Sequence, residues 1–537
     1  MGLSGNWQLY ASLAVIVAYV LRVVIRARNT ALADIRGPAR SSLLLGNESD
    51  IRYQNEVGNV EFPWLREYGG AWKVHGPLGD ERLMLADPKA LQYVLQTSSY
   101  RYPKRADVRA HQRMRTGDGV VWAHGEQHQR QRKIMNPAFS VPQLKSFIPL
   151  FQRYAQKLVQ KWREEEAGQE RVLDVHKWLS RTTLDIIGDS GFGFEFNSLD
   201  NAQSDLSNAY HNLYASTLYP PRWDLAFRYL WNFLPPSASW YLRYLPGQEY
   251  RRFRHYQEFV SAYGRKLMVQ AQARNVKGTG KDIMSILLRA NEAEEVKLKL
   301  SDAEAVDQIS VLLLAGHETT ASSLTWWFYE MARQPEWQQR VREEIRAVRR
   351  LVAQRGDVEF SVGDFDSMSV MHATLKESMR LHPIVWQLSR TAEADDVIPL
   401  ATPIISRSGE QIASIPIRKG QNVEISICAY NRNPDVWGID ADSWNPDRFM
   451  VGKPGTTSVG LYANLLNFSA GIRGCIGWRF SVLEMQAIAA IVIENFEFAL
   501  PPQTQIERKP TIVMAPMTPG RSGVWMGLEI KSCAPST

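Results

Sequence analysis

The clearest periodic signal lies at residues 301–335, SDAEAVDQISVLLLAGHETTASSLTWWFYEMARQP. Ser301 followed by Glu304 forms a capping box and Pro335 is a stop signal, so the spacing predicts one uninterrupted helix of roughly 33 residues. Its centre, Leu312-Leu313-Leu314-Ala315-Gly316, is apolar and then abruptly small. A helix this long crosses the middle of a domain. An interior glycine costs about 1 kcal/mol against alanine, so a flat or bulky group is expected against the small face at Gly316. Residues 71–96 read as two short strands around a Gly/Asp turn, then a helix. Helical patterns dominate from there to about residue 382. After Pro383 the pattern changes to short strands, with turns at Ser408-Gly409 and Lys419-Gly420, and an apolar helix is expected over residues 480–496. The fold class is therefore mainly α with a small β region (α+β).

Residues 7–25, WQLYASLAVIVAYVLRVVI, carry a single charge, Arg22. The run is long enough to span a bilayer. Arg22, Arg26 and Arg28 follow it and place the downstream chain on the cytoplasmic side. A cleaved signal peptide is the competing reading, with Ala31-Leu32-Ala33 as its cleavage site. Against it, no lysine or arginine precedes the apolar run. A myristoylation signal is excluded because Asn6 stands where serine or threonine is wanted. The expected organisation is an N-terminal transmembrane anchor over 1–28, a connector over 29–50, and one catalytic domain over 51–537. No linker, repeat or low-complexity tract divides that domain.

A composition of 45% hydrophobic and 22% charged residues supports a large core. Three cysteines, Cys428, Cys475 and Cys533, are too few and too scattered for a disulfide framework or a zinc site, which points to a reducing compartment. The net charge of +7 comes from dispersed basic residues, so nucleic acid is not the expected partner.

Residues 467–480, NFSAGIRGCIGWRF, put Cys475 in a loop with three glycines just before a helix. The helix N-terminus favours thiolate, which ligates metals, and the glycines let a large planar group approach. Phe468, Gly471, Arg473, Cys475 and Gly477 fit F-x-x-G-x-R-x-C-x-G. This resembles the haem-ligand signature of the cytochromes P450, the haem-thiolate monooxygenases, and the resemblance covers roughly residues 35–525. It implies the cytochrome P450 fold and haem b with Cys475 as axial iron ligand. It also implies that Phe468 packs beside the thiolate side, that Gly477 borders the haem and that Arg473 reaches a propionate.

The segment AGHETT, residues 315–320, is similar to the family's oxygen-activation segment. Ala315 and Thr319 are one turn apart, so the small residue lies over the iron while the hydroxyl faces dioxygen. Glu318 is implied as the acid that relays protons with Thr319, and His317 as non-ligating. Glu377 and Arg380 in KESMR, with Arg448 in PDRF, resemble the family's structural Glu-Arg-Arg triad, although Asp447 replaces the common glutamate. His128 and Arg132 match the propionate-binding helix, and Arg390 matches another propionate arginine. By family position the substrate pocket is lined by Val120, Val121, Leu312, Ile384, Trp386 and Met514.

No flavin or nicotinamide fingerprint is present. Electrons are therefore expected from NADPH through a separate cytochrome P450 reductase, with cytochrome b5 as a second candidate donor. The reductase's acidic face would suit Arg130 and Lys133. The aromatic span 217–247 falls where the family carries a lid that dips into the bilayer. The implied protein is a fungal microsomal monooxygenase of the endoplasmic reticulum membrane, its catalytic domain cytosolic. It would hydroxylate or epoxidise a terpenoid, sterol, fatty acid or aromatic with O2. Two alternatives remain open: a haem-thiolate lipid-peroxide isomerase or dehydratase that needs no reductase, and a non-enzymatic membrane haem carrier or sensor.

Overall fold

The computed structural model describes residues 31–166, 171–201, 218–451 and 457–533, with Leu13 and Val17. The expected anchor falls outside the described residues except at those two positions. Among the described residues no helix is long and apolar enough to cross a membrane.

Numbering only helices of eight or more residues, the chain runs α1 (Glu61–Tyr68), β1 (Ala71–His75), β2 (Glu81–Leu85), α2 (Ala106–Thr116), α3 (Gly125–Met135) and α4 (Ile148–Glu166). Then follow β3 (Arg171–Asp174), α5 (Val175–Phe192), α6 (Arg222–Leu230), α7 (Gln248–Val276) and α8 (Ile283–Glu292). The central α9 (Asp302–Arg333) leads to α10 (Pro335–Gln354) and α11 (Ser369–Leu381). The β-rich part comprises β4 (Gln387–Thr391), β5 (Asp396–Ile405), β6 (Gln411–Ile417) and β7 (Asn422–Ser426). After α12 (Trp478–Asn495) come β8 (Phe496–Ala499), β9 (Glu507–Pro510), β10 (Met514–Met517) and β11 (Gly527–Ser532).

The long helix begins where its cap predicts. The Ser301 hydroxyl accepts from the Glu304 amide and the Glu304 carboxylate accepts from the Ser301 amide. Most of α9 is buried, and it packs most extensively on α5. A Cβ on Gly316 would lie 2.9 Å from Ile187 Cγ1 on α5. The bulky group against Gly316 is thus Ile187 of a neighbouring helix, and Gly316 and Ile187 also line the cavity described below together with Ala315.

The β elements form a four-stranded sheet β1-β2-β7-β4, a three-stranded sheet β3-β11-β8, and the hairpins β5-β6 and β9-β10. In the first sheet β2 runs parallel to β7, with Arg82 opposite Asn422. In the second, Gly527 lies opposite Asp174 across β11 and β3. Arg82 bonds Glu48 at 2.7 Å and Arg105 bonds Glu424, so the sheet's end is pinned by a buried charge network. The connector's described part, 31–50, is packed on the sheets. Leu32, Ile35 and Leu45 are buried, the Lys73 amide donates to Arg36 O, and the Arg407 amide donates to Asp34 O.

Candidate active site

The last turn of α11 and the segment before the cysteine loop are tied by fully buried charges. Arg380 grips Glu377 with both Nε and Nη2, at 2.7 and 2.8 Å. Its remaining protons go to the carbonyls of Asn431, Ala441 and Ser443. Glu377 also accepts from the Asn445 amide at 2.7 Å and lies 3.5 Å from Arg448 Nε. Arg448 spends most of its donors on Asp440 and on Trp437 O. The three side chains meet, with Asp440 as a fourth member the sequence did not suggest.

That frame carries the loop to Cys475, whose amide donates to Phe468 O at 2.9 Å. Gly471, at φ +64°, is required by backbone proximity, since its Cβ would lie 1.9 Å from Leu95 O. Cys475 is exposed on the wall of a cavity of about 300 Å³. Burial pushes its thiol pKa up, against the lowering pull of the Gly477 amide and Arg132. The helix-terminal Gly477 amide pulls towards thiolate as expected but is outweighed by desolvation. A metal cation bound at the sulfur would supply charge that favours the thiolate.

Phe468, Gly477 and Arg473 share the cavity wall with Cys475, and Ala315, Thr319 and Leu312 of α9 belong to the same wall. Val120, Val121, Ile384, Val385 and Leu388 add apolar surface. Thr319 Oγ1 donates to Ala315 O at 2.8 Å, which leaves its lone pairs as an acceptor at the wall. Trp386 and Met514 do not line this cavity. The Trp386 indole donates to Thr511 O at 3.2 Å and borders an adjoining chamber, while the buried Met514 uses its amide to bond Ile384 O.

The donor set has one sign. Lys104, His128, Arg132 and Arg473 line the cavity, and among the described residues no aspartate or glutamate does. His128 Nδ1 and Arg473 Nε are buried without a hydrogen-bond partner. Burial, with Arg473, Arg132 and Lys104 nearby, pushes His128 down to about 3. Burial and the neighbouring cations also lower Lys104. Burial and Arg473 bring Arg390 to about 10. Arg390 lies in the adjoining chamber, donating to Ser389 O. Cations that repel one another around orphaned donors are arranged for an absent polyanion, and haem's two propionates fit them. Arg132 also donates to Gly474 O at 2.9 Å, and Arg473 to Ala123 O at 3.1 Å.

Glu318 is not on the cavity wall. It lies 3.3 Å from His176 Nε2 on α5 and accepts from Ser180 Oγ at 3.4 Å. Burial opposes both charges, yet each offsets that cost for the other: His176 ends above its ordinary pKa and Glu318 below. His317 is buried, its Nδ1 2.6 Å from Leu313 O.

Sequence reasoning missed Lys104, which no motif marks, and His124, one turn ahead of His128 and 3.0 Å from Arg473. It also missed Glu484, whose buried carboxyl is pushed well up by burial beside the Thr320–Ser481 hydroxyl pair. Near the proximal side Arg130 is engaged by Glu304, and the exposed Lys133 pairs with Glu294 at 2.8 Å.

A cysteine beneath a small-residue helix, ringed by unanswered cations and apolar walls, defines a haem-thiolate enzyme. The sequence matches the Cytochrome P450 family over residues 37–521. It is 33% identical to cytochrome P450 monooxygenase 205 of Postia placenta, over 94% of each chain. It is 31% identical to cytochrome P450 monooxygenase claP of Ampulloclitocybe clavipes, over 95% of this chain and 94% of the relative. It is 32% identical to a ganoderic acid synthetase of Ganoderma lucidum, over 86% and 87%. The chain belongs to the cytochrome P450 family and is an oxidoreductase of the monooxygenase type with haem held by a cysteine thiolate, and members of that family generally draw NADPH electrons through a reductase.

Proposed function

We propose that this enzyme is a membrane-anchored monooxygenase that hydroxylates or epoxidises a lipophilic substrate. The observation carrying this reading is the placement of Cys475, Ala315 and Thr319 around one cavity whose other walls are largely apolar. Haem, bound through Cys475 and the surrounding cations, supplies the activation of dioxygen. The chain's own residues do the rest. Val120, Val121, Leu312, Ile384 and Leu388 exclude water and hold an apolar body near Ala315. Thr319 Oγ1 accepts or passes a proton at the wall, while His176 holds the neighbouring Glu318 away from it.

The decisive experiment is the carbon-monoxide difference spectrum of the reduced protein, joined to NADPH consumption with purified reductase. A thiolate-type Soret band that Cys475→Ala abolishes, with substrate-stimulated NADPH use, supports the reading. Turnover of a lipid peroxide without NADPH would favour the isomerase instead, and a haem band with no turnover of any kind would favour a carrier.

The anchor is proposed to be residues 1–28, holding the protein on the endoplasmic reticulum with the catalytic domain in the cytosol. The aromatic segment is proposed as a second membrane contact. Trp231 and Tyr229 face inward, while Trp223, Tyr241 and Tyr244 are 59–69% exposed. Deleting 1–28 should move most of the protein to the soluble fraction, and full retention in the membrane would refute the anchor.

A further inference from the structure

Besides Thr319, three hydroxyls interrupt the apolar surface of the haem cavity: Thr320 and Ser323 on α9, and Ser481 on α12. Ser323 donates to Thr319 O at 2.9 Å, a bond internal to its own helix. Thr320 Oγ1 and Ser481 Oγ stand 2.9 Å apart and join the two helices. Glu484 lies on the same face of α12, three residues beyond Ser481 and off the cavity wall. It is wholly buried, and neither of its carboxyl oxygens has a hydrogen-bond partner among the described residues. The Thr320 hydroxyl is near enough to pull against the rise that burial imposes on this carboxyl, yet it does not meet either oxygen in hydrogen-bond geometry. No cationic side chain among the described residues offsets the burial.

An ionised carboxylate buried with neither donor nor counter-charge is very costly, so Glu484 keeps its proton at neutral pH. Glu318 is the opposite case. It is paired with His176, held below its ordinary pKa and therefore an anion. Of the two buried carboxyl groups beside the threonines of α9, the one with a proton to give is Glu484. A buried polar group without partners is rare in a folded protein and calls for a reason. An acid kept neutral by its surroundings is suited to donating, and a hydroxyl pair both accepts and donates.

We propose that Glu484 is a buried proton store that feeds the cavity through the Thr320–Ser481 hydroxyl pair, a second proton entry apart from Thr319. A small rotation of Thr320 brings its hydroxyl onto the carboxyl. The Glu484 O–H then gives its proton to the Thr320 oxygen, and the pair releases one of its own protons into the cavity. The carboxylate left behind is the costly state, so it takes a proton back from cavity water by the same two hydroxyls. One proton thus passes from Glu484 to the cavity and one from water to Glu484. The electrons are those of NADPH and their acceptor is dioxygen, as in the monooxygenase reaction itself. Glu484 acts through Thr320 and Ser481, which makes it a positioning residue for the proton rather than a group touching substrate.

The proposal rests on the monooxygenase class and not on the lipophilic-substrate reading, so the two fail separately. Haem-loaded protein is used in two measurements. The infrared spectrum of wild type minus Glu484→Gln, taken near pH 7, should contain the carbonyl stretch of one protonated carboxyl group that moves on transfer to D2O. A spectrum without that band means that Glu484 is ionised, and overturns the proposal. The second measurement is NADPH consumption with purified reductase and dioxygen as the only other reactant. Glu484→Gln keeps the shape of the side chain but has no acidic proton. It should slow consumption about tenfold or more at unchanged haem content and carbon-monoxide band, with Glu484→Asp recovering much of the loss. Equal rates in wild type and Glu484→Gln overturn the relay, and an aspartate variant as slow as the glutamine one reduces Glu484 to a structural residue. Should Glu484→Gln not fold, Thr320→Val and Ser481→Ala interrupt the path while leaving the acid in place. Each should keep the protonated-carboxyl band, identified in glutamate-labelled protein by its isotope shift, and lose rate; full rate in both overturns the proposal.

Discussion

Replacing Glu377 with glutamine tests the frame that carries the cysteine loop. The substitution preserves shape and leaves Arg380, which is wholly buried, without its counter-charge. Breaking a buried pair by removing one partner costs about 3–5 kcal/mol. Only 0.5–1.5 kcal/mol, roughly, would be expected from a neutral hydrogen bond alone. At about 2.1 cal/mol/K per residue, the 537 residues give an unfolding entropy of about 1.1 kcal/mol/K. The larger figure therefore lowers Tm by about 3–4 °C. The local effect is greater than the global one, because Glu377 also holds the Asn445 amide and stands beside Arg448. Haem content per polypeptide, from the pyridine haemochrome, should fall more steeply than stability, and the carbon-monoxide band should be lost or converted to its inactive form. Arg448→Lys, which keeps the charge but loses the fork on Asp440, should be intermediate. Glu377→Gln protein with normal haem and an unchanged Tm would refute the assignment of this network as the loop's support.

Three further outcomes are expected. Thr319→Ala removes the hydroxyl at the cavity wall and should uncouple NADPH oxidation from product formation about tenfold or more, measured as product per NADPH; unchanged coupling removes Thr319 from proton handling. Gly316→Ala pushes a methyl to within 2.9 Å of Ile187 and should cost about 1–3 kcal/mol, with Ile187→Ala restoring much of the loss in thermal denaturation; no recovery would mean the two helices do not meet as described. The His176–Glu318 pair gives a pH signature. His176 is raised, so its contribution is complete below its ordinary 6.5 and is lost as pH rises through the raised value. Glu318 is lowered, so its contribution is complete above its ordinary 4.5 and is lost as pH falls through the lowered value. The Tm gap between wild type and His176→Gln should be widest between about pH 4.5 and 6.5, and a gap independent of pH would contradict the ion pair.

Features encoded within a few residues were legible in the sequence. The Ser301–Glu304 cap, the Gly409 and Gly420 turns, and the one-turn spacing of Ala315 and Thr319 are local, and each appears where expected. The cysteine loop was legible as a spacing, although the reason for Gly471 was not, because the Leu95 carbonyl that forbids a side chain lies far away in the chain. What failed depended on distant partners. Glu318 reads as a cavity acid until His176 on another helix claims it. Trp386 sits among pocket residues in sequence, but its indole is drawn to Thr511 and the ring turns to the neighbouring chamber. Lys104 belongs to no motif, and only the folding of α2, α3 and the β-rich part around it brings it beside the cysteine's cavity.

The pairing of β2 with β7 and of β3 with β11 sets a timetable for synthesis. A ribosome adding about 5–20 residues per second needs about 20–70 s to travel from Leu85 to Asn422, the register partner of Arg82. Throughout that interval the β1-β2 hairpin has one edge waiting, and such an edge is open to wrong pairings. Cys475 emerges after β7 but before β11, so the pocket's cysteine is made while β3 still lacks the neighbour that closes its sheet. Cofactor capture is therefore a late event in the life of the nascent chain, and the supply of haem must meet a nearly assembled pocket rather than guide the early collapse.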